Sequence, residues 1–308
     1  MHFHSSKSLF PLWAVIALWT PAMIAASYVW RNGNYYDYGW FVPPAALWLV
    51  IWRWRQFGDP LYLPQRRSVL ALAALLLPWI LILRVLGNVD PSWRLPIGLL
   101  GVTATLSSHA LIAVTYGWRV SAGFVWITLL CLSAMPWPSA VESWIVHHLT
   151  QGVVMATAEV FHLYGKPVEV LGDRLRLHDL MVEVTDGCSG VRSFQSFVMA
   201  TWFFAELQRL RVAQAMLLLT CACGAAFVVN LARSFALALI RFEHGELAFE
   251  HAHDGLGLLA FMVSGLFFYY VSGKLSASHR GKVLRMTSMK DGHIQGETTS
   301  QGRRGNDQ

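Results

Sequence analysis

Charged side chains are scarce in this chain. Only 14% of its 308 residues are Asp, Glu, Lys or Arg, where a soluble domain carries roughly 25%, so an ordinary soluble domain is excluded. Cysteine is scarce too: of four, Cys131, Cys221 and Cys223 fall inside apolar runs and only Cys188 sits at a boundary. That distribution excludes a disulfide framework and reads the three in-run cysteines as small packing residues. No His-Glu-x-x-His spacing occurs, and no metal or other cofactor is expected. The net charge of +6 comes without a basic stripe or an aromatic RNA-binding motif, so nucleic acid is not an expected partner.

What the chain has instead is apolar length. Hydrophobic residues make up 55%, with 14 Trp, in blocks of roughly 15 to 25 residues, and about 20 such residues cross a bilayer. The blocks predict spans over 9–30, 40–52, 68–86, 95–116, 122–135, 191–207, 212–232 and 255–271. The expected fold is an all-α polytopic membrane protein with about eight transmembrane helices. The first block leads straight into another span, so it is an uncleaved helix rather than a signal peptide.

Between 139 and 187 the pattern changes. Residues 144–164 carry His147, His148, Gln151, Glu159 and His162 among apolar positions, as in an amphipathic helix lying along the interface. Residues 168–184 alternate around Gly172-Asp173 and predict a short extended segment. The expected organisation is a membrane domain over 1–274, with an outer-face insert at 139–187 and a catalytic part at 182–272, followed by a disordered cytoplasmic tail at 275–308.

Arg53, Arg55, Arg66, Arg67, Arg119, Arg209, Arg211 and the basic tail fall on one side of an eight-span scheme. By the positive-inside bias that side is the cytoplasm, and it holds both termini. Arg31, Arg94 and Lys166 fall on the wrong side. Cys188, Arg233 and His253 all reach the outer face, from three consecutive helices. A thiol, a fixed cation and an imidazole suit nucleophilic acyl transfer. Gly187 and Gly190 permit close approach of a substrate, and Asp254 can orient His253. Each residue also has a plainer reading: Cys188 as packing, Arg233 as a boundary arginine, and His253 within a metal site with Glu243, His244, Glu250 and His251.

At Cys188-Ser189-Gly190-Val191-Arg192, Asn230-Leu231-Ala232-Arg233 and His253-Asp254-Gly255-Leu256-Gly257 the chain resembles the exosortase/archaeosortase family of membrane cysteine transpeptidase-like enzymes. The likeness covers most of 30–272. Two departures are Gly187, where many members have Ala, and Tyr38-Gly39, where many have His-Gly; the second leaves the role of the first loop open and suggests a divergent subfamily. The resemblance implies Cys188 as nucleophile, His253 as acid/base and Arg233 as oxyanion or substrate stabiliser, supported by Asn230, Asp254, Ser189, Gly190 and Arg192. It implies secreted protein substrates with a C-terminal sorting signal (short motif such as Pro-Glu-Pro, transmembrane helix, basic end), handled at the outer face of a bacterial inner membrane. Apart from these substrate proteins, membrane lipid is the other expected contact. The alternative is a transporter or channel with Arg233 and His253 lining the path. Against it, the second half does not repeat the first.

Overall fold

A helix satisfies its own backbone hydrogen bonds and so is the element an apolar block can form inside a membrane. The computed structural model describes residues 10–32, 35–56, 66–177, 180–183 and 190–304, and it is predominantly helical. In order, the helices are α1 (Phe10–Asn32), α2 (Val42–Trp54), α3 (Arg66–Val89), α4 (Arg94–Tyr116), α5 (Trp118–Ala122), α6 (Val125–Ser133), α7 (Ser139–Leu163), α8 (Val191–Leu207), α9 (Val212–His244) and α10 (Glu246–Arg304). A one-turn 3-10 segment, Asp37–Phe41, joins α1 to α2. Among the described residues, four helical stretches are long and apolar enough to cross a membrane: Pro11–Asn32, Arg94–Tyr116, Val212–His244 and Glu246–Ala277; Ala74–Val89 is a shorter apolar helix.

Local sequence explains most boundaries. Pro43 and Pro44 occupy the first turn of α2, where a missing N–H costs nothing. Pro138 precedes α7. The span expected over 122–135 is not one helix. It is broken at Gly123 into α5 and α6, and Arg53 from α2 fills the break by donating to the Gly123 carbonyl at 2.9 Å. Span eight was expected to start after Asp254. Instead α10 begins at Glu246, because Gly245 at φ 83° makes the whole turn from α9. Its helical backbone continues to Arg304.

Packing uses small residues where helices cross. Ala22 and Ala26 of α1 are fully buried and Ala104 of α4 nearly so, and α1 packs on α4, the pattern that lets membrane helices approach closely. Ala215, Ala222 and Ala226 play the same part on α9, facing a cluster with Phe197 of α8 and Phe268 of α10. At the far end of the bundle, Arg53 pairs with the buried Glu206 of α8 at 3.2 Å.

The insert folds as α7 followed by three antiparallel strands, β1 (Glu169–Leu171), β2 (Arg174–Leu177) and β3 (Leu180–Glu183). Gly172-Asp173 forms the β1–β2 turn, with Leu171 opposite Arg174. Alternation along β2 buries Leu175 and Leu177 against Val154 and Phe161 of α7 and Ala238 of α9. His147, His148, Gln151, Glu159 and His162 lie on the exposed side of α7.

Candidate active site

The outer wall of the site starts with the loop after α1. Tyr36 is completely buried; its hydroxyl donates to Glu142 Oε2 at 2.5 Å and accepts from the Trp137 N–H at 3.0 Å. Arg94 pairs with the same Glu142 oxygen. Burial, first, and then the neighbouring carboxylate hold the Tyr36 hydroxyl far above its ordinary pKa, so it stays a donor. Tyr38 donates to the Ser133 carbonyl at 2.9 Å. Gly39 lies under the indole of Trp30, where a Cβ would come within 2.4 Å of the ring. The loop is therefore clamped, and it presents Tyr35, Asp37, Tyr38 and Phe41 to a cavity of about 590 Å³.

The facing wall is built from α8, α9 and α10. Gly190 caps α8 at φ 80°, a left-handed conformation natural to glycine. A Cβ there would lie 3.0 Å from Asn230 Cγ, so the buried Asn230 side chain supports the start of α8. One turn along α9, Arg233 places Nη2 3.2 Å from His253 Nε2 on α10, and His253 Nδ1 lies 3.1 Å from Asp254 Oδ1. A guanidinium only donates. In this geometry Nε2 therefore carries the lone pair and Nδ1–H donates to Asp254, although sequence neighbours commonly diverge. Gly257, one turn beyond His253, would bring a Cβ to 3.4 Å of Arg233 Nη2, which explains a small residue at that step. Arg233 Nε is buried with no hydrogen-bond partner among the described residues, so a donor remains available.

Six of the residues singled out from sequence, Gly190, Arg192, Asn230, Arg233, His253 and Asp254, line this one cavity. Cys188 and Ser189 lie outside the described residues. The metal reading is not assembled. Glu243 pairs with Lys166 at 3.2 Å, and His251 Nδ1 bonds the Leu247 carbonyl at 2.7 Å. Among the described residues no group of three or more His, Cys, Asp or Glu is placed to hold a metal ion.

Two findings were not foreseen. Tyr35, Asp37, Tyr38 and Phe41 form a wall of the cavity, and Glu142 anchors that wall through Tyr36. Two of the three basic residues that run against the charge scheme are ion-paired, Arg94 with Glu142 and Lys166 with Glu243.

Spanning helices around a polar cavity that holds a hydrogen-bonded Arg-His-Asp series define a helical membrane protein with an enzyme-like site. The family model for transmembrane exosortases matches residues 30–270, and the chain belongs to that family. No curated protein and no solved structure gives a significant match to it.

Proposed function

We propose that this protein is a membrane-embedded cysteine endopeptidase/transpeptidase that processes the C-terminal sorting signals of secreted proteins. The observation that carries the reading is the Arg233–His253–Asp254 series, in a cavity beside the start of α8, just after Cys188 in sequence. The Cys188 thiolate would attack the scissile carbonyl, favoured by the positive end of α8. Arg233 N–H groups would hold the developing oxyanion. His253 would take the thiol proton and return it to the leaving amine as the C–N bond breaks. The resulting thioester would pass to an acceptor or to water.

In this reading α1, α2, α3, α4, α5 with α6, α8, α9 and α10 supply eight crossings. The cavity faces outward from the plasma membrane, α7 lies along that face, and both termini are cytoplasmic. A substrate helix beside α8–α10 would bring its outer end level with the start of α8, just after Cys188 in sequence. The test is Cys188→Ala: the protein should remain in the membrane at normal levels while tailed substrate proteins accumulate unprocessed. Normal processing in that variant would sink the proposal.

A further inference from the structure

A second cavity, of about 310 Å³, shares Tyr35 with the first and is lined by Glu142, Ser143, Val146, His147, Thr150 and Asp173. Its polar groups are unusually rich in unspent acceptors. Glu142 is only 8% exposed, and Tyr36 and Arg94 both engage its Oε2. Oε1 thus has no hydrogen-bond partner among the described residues. Thr150 is 5% exposed, and its hydroxyl is buried without a partner. Asp173, on the exposed β1–β2 turn at the rim, makes no ion pair among the described residues. For the two buried residues, Glu142 and Thr150, unmatched acceptors are costly. Arg94 offsets the charge of Glu142, so Asp173 leaves the pocket with net negative character. The ligand that answers several acceptors and one surplus negative charge is a compact cation with several N–H donors. A bound metal ion is disfavoured, because these side chains do not converge as a ligand set.

We infer that this second cavity is a binding site for a primary ammonium group, and that it serves the acceptor side of the transfer proposed above, on which this assignment of role rests. The ammonium is held by Glu142, Thr150 and Asp173 and gives up one proton to solvent on passing Tyr35. The neutral nitrogen then attacks the thioester carbon. The C–N bond forms, the C–S bond breaks with sulfur leaving as the Cys188 thiolate, and His253 takes the second nitrogen-bound proton.

The test uses the purified full chain in choline-lipid nanodiscs, titrated with ethanolamine and, separately, with tetramethylammonium, which has charge but no N–H. Saturable ethanolamine binding is expected, weakened at least tenfold by Asp173→Asn and by Thr150→Val, with tetramethylammonium failing to compete. Both substitutions preserve shape and spare the Tyr36–Glu142–Arg94 cluster. Repeating the titration with ethanolamine-headgroup lipid in the discs identifies the source. Weakened apparent affinity assigns a lipid headgroup, unchanged affinity a soluble amine, and both support the site. No saturable binding, equal binding of tetramethylammonium, or indifference to both variants would overturn it. Cys188→Ala should bind ethanolamine as the unmodified protein does. Intact binding together with normal processing in Cys188→Ala would remove the cysteine reading and leave the ammonium site standing.

Discussion

Arg233 does two things through different atoms: Nη2 meets His253, while Nε keeps an unspent donor inside the cavity wall. Lysine can reproduce the charge but not this fork. Arg233→Lys should therefore lower processing by roughly 10²–10³-fold, the scale for losing one oxyanion donor, at unchanged membrane level, read in a quantitative cleavage assay. Tyr36 argues from stability rather than chemistry. Tyr36→Phe leaves a buried carboxylate with one partner fewer and strands the Trp137 N–H. It should cost about 1–3 kcal/mol, measured by unfolding in detergent. Because the Tyr36 hydroxyl is held far above its ordinary value, its contribution is complete below about pH 10 and declines progressively as the pH rises beyond that. The phenylalanine variant should lack that alkaline decline.

At the scale of elements, the start of α8 is the critical joint. Gly190→Ala puts a side chain into a left-handed conformation, at about 1–2 kcal/mol, and drives its Cβ to 3.0 Å of Asn230. Processing should fall sharply while insertion is retained. Gly224→Ala, mid-helix with open space around it, should be neutral or slightly stabilising, and comparing the two in one cleavage assay isolates the joint. Helix positions and the meeting of Arg233 with His253 were legible in the sequence, because apolar run length and a fixed rise per residue dictate where a motif emerges. The break at Gly123 was not, since a carbonyl there is answered by Arg53 of a different helix. The wall made by residues 35–41 was equally hidden. Its anchors, Glu142 and the Ser133 carbonyl, lie about a hundred residues away, and no local periodicity encodes such a pairing.

For the whole molecule, orientation decides whether the reading stands. With the cavity outward, a membrane-impermeant thiol reagent added outside intact cells should label Cys188 and spare Cys131, Cys221 and Cys223, which lie within α6 and α9. Labelling of Cys188 only in inverted vesicles would reverse the topology. Arg94 and Lys166, two of the exceptions to the charge bias, are ion-paired with Glu142 and Glu243. One further consequence follows from Gly245. Arg233 and His253 belong to a single hairpin closed at that glycine, and this hairpin follows every other described helix in chain order. During biosynthesis the ribosome delivers the clamped loop, the sheet and α8 before His253 exists. The pair then needs only the closing of one short turn, an entropically cheap last step. A half-made chain thus carries an incomplete site, and the Arg233–His253 pair is assembled only as this hairpin folds.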